Sequence, residues 1–152
     1  MLFRTVLLAA AAALAVSPAL AQPGHITFGH VSAADVAAKS KPGSGPGVFT
    51  PAKGDNYVVL FATRNANGNT PELHDHFADY VAVLSGNATL TYGGTLKGGK
   101  TVSPGEIRGG TIQGGKQNPV HAGDYIQIPA GMPHMLVPTG GEFHYVVFKV
   151  RE

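Results

Sequence analysis

Two stretches of sequence decide how this chain folds. The first is Gly68-Asn-Thr-Pro-Glu-Leu-His74-Asp-His76, and the second is Gly123-Asp-Tyr-Ile-Gln-Ile-Pro129-Ala-Gly131-Met-Pro-His134. Side chains two residues apart point to the same face of an extended strand, so a strand through the first stretch presents His74 and His76 together. The Pro and Gly of the second stretch favour a fixed turn, from which a neighbouring strand presents His134. Together the three imidazoles predict a site for one divalent transition metal.

Both stretches resemble the two sequence motifs of the cupin family, G-x5-H-x-H-x3-4-E-x6-G and G-x5-P-x-G-x2-H-x3-N. Gly68, His74, His76 and Gly86 fit the first motif, whereas Asp79 stands where the family has Glu, on a loop shorter than the pattern. The second motif matches except that Pro replaces its closing Asn. The resemblance implies an all-β fold, the cupin barrel, also called a double-stranded β-helix or jelly roll.

The resemblance also implies a metal site made of His74, His76, His134 and, as a fourth ligand, Asp79. Such ligands suit iron, manganese, nickel or zinc, and they do not choose among these metals. Asp79 either reaches the metal or caps the start of its strand, and both interpretations stay open. Three histidines leave coordination positions for water or substrate, an arrangement that is typical of catalytic rather than structural sites.

Two other residues are candidates for catalysis. Glu72 precedes His74 by two residues on the same strand face, so it is a candidate acid or base beside the metal. The interpretation that we favour at this position is an exposed Glu next to Pro71. Tyr125 carries a phenol that can donate a proton or orient a substrate, although aromatic residues of strands usually only pack.

The N-terminus predicts export. Arg4 is followed by an apolar run and by an A-x-A pattern, so residues 1–21 are expected to be a signal peptide that is cut after Ala21. The apolar run is short for a bilayer span, and therefore no membrane anchor is expected. We predict a periplasmic or secreted protein.

Composition narrows the possible partners and chemistry. Eleven basic and nine acidic residues give a formal net charge of +2, and the lysines are scattered, so nucleic acid is not an expected partner. The chain has no Cys, which excludes thiol catalysis and thiolate metal ligands. Histidine and carboxylate chemistry is what remains.

The pattern along the chain predicts one short helix and then strands. Ser32 is placed as the N-cap of a helix that ends before the Pro-Gly-Ser-Gly run at residue 42. We divide the chain into the signal peptide, an N-terminal arm with this helix at 22–55, and a single barrel at 56–152. Strands are predicted at 57–64, 73–76, 79–84, 88–92, 124–128, 135–137 and 143–150.

A glycine-rich insertion at 93–122 interrupts this rhythm. Nine of its thirty residues are glycine, and Gly-Gly pairs recur without a strict period. It is expected to form either a long hairpin or flap near the mouth of the cavity, or a solvated surface loop.

Taken together, the residues and the resemblance predict an exported, metal-binding protein with a small-molecule ligand or substrate. Cupins include dioxygenases, decarboxylases, isomerases and lyases, as well as binding proteins without catalysis. The first hypothesis is a metalloenzyme of the oxidoreductase or lyase/isomerase type. The alternative is a non-catalytic module that binds a small carboxylate, a sugar or a phenol. Because cupins commonly pair, the resemblance also allows a homodimer.

Overall fold

The computed structural model describes residues 28–152, which fold into two main β-sheets with one short helix. The predicted signal peptide lies outside the described residues. Within them, no helix has the length and apolar character needed to cross a bilayer. The elements are α1 Ala33–Lys39, β1 Gly47–Lys53, β2 Tyr57–Arg64, β3 Glu72–His74, β4 Phe77–Ser85, β5 Asn87–Tyr92, β6 Thr95–Lys97, β7 Lys100–Ser103, β8 Glu106–Arg108, β9 Thr111–Gln113, β10 Lys116–His121, β11 Tyr125–Ile128, β12 His134–Pro138 and β13 Phe143–Arg151.

The two sheets are interleaved along the chain. One sheet has the order β1-β2-β13-β4-β11, and the other has the order β10-β5-β12-β3-β8-β7, while β6 and β9 form a separate pair. Apolar side chains from both sheets meet in one core, because alternate residues of each strand point inward. The buried core comprises Ala62, Val81, Val83, Ala88, Leu90, Val120, Ile128, Leu136, Phe143, Tyr145 and Val147.

The predicted all-β fold with one short N-terminal helix is confirmed. Ser32 caps α1, since its hydroxyl oxygen accepts a hydrogen bond from the backbone N–H of Asp35. The seven predicted strands correspond to β2, β3, β4, β5, β11, β12 and β13. Strand β1, at the edge of the first sheet, was not predicted, because Pro51 and a bulge between Phe49 and Ala52 interrupt its alternation.

Within the glycine-rich insertion, residues 93–115 form a bent antiparallel ribbon rather than a loop. Its two arms stay paired along their length: β5 pairs with β10, β6 with β9, and β7 with β8. Between these paired segments, Gly93-Gly94 faces Gly114-Gly115, and Gly98-Gly99 faces Gly109-Gly110. Six of these eight glycines have positive φ. The ribbon bends at both places, and β8 at its tip pairs with β3 of the second sheet.

A matched pair of substitutions tests the first bend. Gly93 and Gly94 both have positive φ, but only at Gly94 would an added Cβ lie close to backbone, 2.3 Å from the carbonyl oxygen of Gln113. We expect Gly93→Ala to lower the free energy of unfolding by about 1 kcal/mol through its φ alone, and Gly94→Ala to lower it by about 3 kcal/mol. Urea unfolding measures both. Equal losses would contradict a close-packed bend.

Candidate metal centre

The space between the sheets holds a cavity of about 350 Å³. One part of its wall is apolar and comprises Val48, Leu60, Ala62, Val81, Ile128, Leu136 and Val147. The other part carries ionisable side chains, namely Arg64, Glu72, Asp79, Arg108, His134, Tyr145 and Lys149. Strand alternation places several of these inside, as on β13, where Tyr145, Val147 and Lys149 share one face.

Two buried histidines lie beside each other at the cavity, and one of them, His134, lines it. His74 ends β3 and His134 begins β12, and these two strands are neighbours in the second sheet. The two residues are 2% and 5% exposed, and their ring centroids are 5.2 Å apart. The fold therefore presents both imidazoles from rigid strands to the same region.

Each of these rings has its Nδ1 atom engaged. His74 Nδ1 lies 2.8 Å from Glu106 Oε2, and His134 Nδ1 lies 3.0 Å from the carbonyl oxygen of Met132. The ionised Glu106 carboxylate and the Met132 carbonyl oxygen can only accept hydrogen bonds. We therefore assign the ring proton of each neutral histidine to Nδ1. Both Nε2 atoms then carry a free lone pair, the form in which imidazole binds a metal.

The Nε2 atoms face two carboxylates. Asp79 Oδ2 lies 3.4 Å from His74 Nε2 and 3.6 Å from His134 Nε2, while Glu72 Oε2 lies 3.7 Å from His74 Nε2. His74 Nε2 is buried and has no hydrogen-bond partner of good geometry among residues 28–152. Ligand atoms of Glu72, His74 and His134 all lie within 4.8 Å of one another. Two imidazoles with two carboxylates fit a first-row transition metal.

Basic side chains pair with every carboxylate of this group. Lys149 Nζ donates to Asp79 Oδ1 at 2.8 Å, and Arg64 pairs with Glu72 Oε1. Arg108 bridges two carboxylates, at 3.1 Å from Glu72 Oε2 and 2.9 Å from Glu106 Oε2. Three cations thus accompany three anions, so the described group is electrically balanced when its histidines are neutral.

The same contacts shift the ionisation of the group. Burial disfavours the charged form of Asp79, but the two histidines and Lys149 outweigh it and hold the pKa of Asp79 well below its usual range. Burial likewise opposes ionisation of Glu72, whose pKa Arg64 and Arg108 nevertheless lower. For His74, burial opposes the charge, whereas Asp79 and Glu106 favour it and raise the pKa.

The structure brings together His74, His134, Asp79 and Glu72, and it places the other two candidates elsewhere. β3 ends at His74, since the next backbone N–H, that of Asp75, donates to the Gly105 carbonyl at a bend. His76 lies exposed on this bend, so strand alternation does not continue to it. Tyr125 is 65% exposed and lines a different depression, beside Asn118 and Met132.

Several residues of the group were missed by the sequence analysis. Arg64 and Lys149 carried a usable signal, because each lies two residues from an apolar, inward-facing residue of its own strand, Ala62 and Val147 respectively. Glu106 and Arg108 carried none, since only the bent ribbon brings their strand beside β3.

Comparisons with known proteins address the fold. No family model matches the sequence, and no curated protein matches it either. Among solved structures, an uncharacterized conserved protein with a double-stranded β-helix domain from Klebsiella pneumoniae matches with a TM-score of 0.58 at 19% identity, over 76% of this chain and 85% of that one. This chain has the cupin fold. The cupin barrel predicted from the two motifs is confirmed.

Two enzymes share this cupin architecture at similar distance. The polyketide cyclase RemF from Streptomyces resistomycificus matches with a TM-score of 0.54 at 20% identity, over 82% of each chain. A recombinant oxalate oxidase in complex with glycolate matches with a TM-score of 0.51 at 17% identity, over 89% of this chain and 58% of that one. At these identities the likeness is one of fold.

The cupin motif fits the observed geometry in a different register from the one first assigned. If the motif's H-x-H begins at Glu72, then His74 is its second position, four residues separate His74 from Asp79, and six separate Asp79 from Gly86. Asp79 then has the spacing of the family's Glu, and the apparent short loop disappears. In this register Glu72 replaces the first histidine and Ala66 replaces the opening glycine, while the motif's metal-ligating positions fall on the side chains that the structure brings together.

The pKa shifts predict how the stability of the metal-free protein depends on pH. The pKa of His74 is raised in the folded protein. The stabilisation that its charged form gives is therefore full below the ordinary pKa of 6.5 and is lost as the pH rises through the folded-state pKa. The pKa of Asp79 is lowered, so the stabilisation that its carboxylate gives is full above 3.8 and is lost as the pH falls through the folded-state pKa. We expect the free energy of unfolding to be highest between these values and His74→Gln to flatten the alkaline decline. Urea unfolding at a series of pH values checks this, and an unchanged decline in the variant would contradict it.

Proposed function

We propose that this chain is an exported, metal-dependent cupin enzyme that acts on a small molecule inside its barrel. One observation carries the proposal. Both buried histidines have Nδ1 engaged by an acceptor, and both direct Nε2 toward the Asp79 carboxylate at 3.4 and 3.6 Å. In their neutral form these rings present two lone pairs to one point beside a carboxylate, which is the arrangement that a bound metal requires.

In this proposal His74 and His134 hold the metal, and Asp79 and Glu72 supply carboxylate oxygens. A bound metal would supply Lewis acidity or redox chemistry to the substrate. Lys149, Arg64 and Arg108 hold the carboxylates in place and keep them ionised. The apolar part of the cavity wall excludes water from the substrate, which strengthens the electrostatic interactions at the polar part.

The reaction class of the proposal is a metal-dependent oxidoreductase or a lyase/isomerase. Its support is the donor set, together with a cavity whose volume is in the range of small-molecule sites. That an oxalate oxidase and a polyketide cyclase share the fold is consistent with it, although fold analogy alone does not assign a reaction.

A non-catalytic binding module is the second candidate, and one observation favours it. Asp79 and Glu72 are already paired with Lys149, Arg64 and Arg108, so the charges are balanced without a metal. In such a module the ligand would occupy the same cavity and would bind whether or not a metal is present.

Metal analysis distinguishes these two functions. We expect the chain from residue 22 onward, purified without a histidine tag, to contain iron, manganese, nickel or zinc near one equivalent by elemental mass spectrometry. His74→Gln and His134→Gln should each lose most of it, because each removes one of the two nitrogen ligands. A folded protein that neither contains nor takes up metal would overturn the enzyme proposal and favour the binding module.

Two exposed histidines serve as controls in this experiment. His121 interacts with Asp124 at the surface, far from the group, and His121→Gln should keep its metal. His76→Gln decides between the two registers of the cupin motif. Retained metal supports the set with Glu72, whereas metal loss would restore His76 as a ligand.

Export is part of the proposal and rests on the N-terminal sequence. The full-length chain produced in a bacterial host should appear in the periplasm or the medium, with a mass that corresponds to cleavage after Ala21. Replacing Leu7 and Leu8 by Asp interrupts the apolar run and should keep the protein, uncleaved, in the cytoplasm. A cytoplasmic, uncleaved wild-type protein would overturn this part. The homodimer stays a prediction from the family resemblance.

A further inference from the structure

With a metal in place, the charged side chains of the cavity offer free hydrogen-bond donors but few free acceptors. Both oxygens of Glu72 lie against guanidinium groups, and Asp79 Oδ1 accepts from Lys149. The remaining acceptors, Asp79 Oδ2 and the two histidine Nε2 lone pairs that face it, are the atoms that would hold the metal. A ligand that enters beside the metal therefore meets donors, and it must bring acceptors of its own.

Tyr145 is one such donor. Its hydroxyl oxygen accepts a hydrogen bond from Arg64 Nε at 2.6 Å, and among residues 28–152 it has no acceptor for its own proton. Tyr145 is 4% exposed and lines the cavity. Burial also raises the pKa of Tyr145, so the phenol keeps its proton at all ordinary pH values. A buried O–H without an acceptor favours a ligand oxygen at this place.

Lys149 is the second donor, and the strand aligns it with Tyr145. Both side chains point into the barrel from β13, with Val147 between them on the same face. The ammonium has three N–H groups and uses one on Asp79. The two residues therefore form a short row of donors on one side of the cavity.

The balance of charges around the metal site favours a negatively charged ligand. The three carboxylates are already matched by Arg64, Arg108 and Lys149. A divalent metal held by the same group adds two positive charges in a largely buried region, and uncompensated buried charge is costly. A neutral sugar or phenol leaves this excess in place, whereas an anion compensates part of it.

The other residues that line the cavity indicate the chemical character of the remaining part of the ligand. Besides the charged groups, the cavity is lined by aliphatic side chains from both sheets, including Leu60, Val81 and Leu136. Such a wall binds hydrocarbon and gives no hydrogen bonds to a polyhydroxylated molecule.

We propose that the ligand of this cavity is a small carboxylate with an apolar body, whose carboxylate group accepts hydrogen bonds from the Tyr145 hydroxyl and the Lys149 ammonium. This inference rests on the proposed metal-dependent function and names the substrate class of that site. The aliphatic wall takes the hydrocarbon part of the ligand.

A pair of probes with the same shape tests the proposal on the unmodified protein. 4-Methylpentanoate and 4-methylpentanamide have the same hydrocarbon body and differ in charge. We expect isothermal titration calorimetry on metal-loaded protein to give an affinity at least about tenfold higher for the carboxylate, because only the anion compensates the buried charge. Equal affinities, or no carboxylate binding to protein whose metal is verified by elemental analysis, would overturn the proposal.

A matched pair of tyrosine variants tests the donor. Tyr145→Phe removes only the hydroxyl in the cavity and should weaken carboxylate binding about fivefold to tenfold, and amide binding by less, because a hydrogen bond to a charged acceptor is the stronger one. Tyr80→Phe removes a hydroxyl from the opposite face of the same sheet and should change neither affinity. Equal carboxylate affinity in both variants would exclude Tyr145 as an anchor.

Metal content separates this inference from the proposed function. Protein that holds metal but does not prefer the carboxylate contradicts the substrate class alone and leaves the metal site standing. Protein that takes up no metal contradicts both. Because the two probes are compared on wild-type protein, the result does not depend on the stability of any variant.

Discussion

The barrel interior depends on keeping the buried carboxylate of Asp79 ionised. Asp79 lies on β4, directly opposite Lys149 on β13, in the register that the two strands adopt. A slip of one residue would turn Lys149 to the outer face of the sheet and leave Asp79 without its cation. Burying an unpaired carboxylate costs several kcal/mol, so this ion pair and the β4–β13 register require each other.

The same charged groups then serve two purposes that conflict. In the metal-free protein, Arg64, Arg108 and Lys149 neutralise the carboxylates and stabilise the folded state. When a metal is held by those carboxylates, the cations become an excess of positive charge beside it. A site built in this way is compatible with an anion in the cavity, as proposed above. In that proposal, the basic groups that stabilise the protein without metal are also the groups that favour an anionic ligand.

How much of the fold and of the candidate site the sequence predicts depends on how far apart along the chain the interacting residues lie. The barrel and its seven main strands were predictable, because alternation and turn residues act over a few positions and the two motifs fix their order. His74 and His134 were predictable for the same reason. His76 was assigned to the strand because nothing local shows that β3 ends at His74. That end is set by the ribbon, whose Gly105 carbonyl takes the next N–H group. Glu106 and Arg108 depend on the same long-range contact, which no local pattern encodes.

The bent ribbon also has a consequence for the order of folding. Its arms pair within a single hairpin, from Tyr92 and Lys116 inward, so its contacts are local and can form within microseconds. In contrast, β2 pairs with β13 across most of the chain, as Tyr57 does with Val150, and such contacts form slowly. Glu106 and Arg108 of the ribbon and Lys149 of β13 pair with the candidate ligands, which themselves lie on β3, β4 and β12. The network of ion pairs around the site is therefore complete only after β13 has closed the first sheet. A chain in which only the ribbon has formed lacks the cation opposite Asp79, so this carboxylate can be buried at low cost only once β13 is in place.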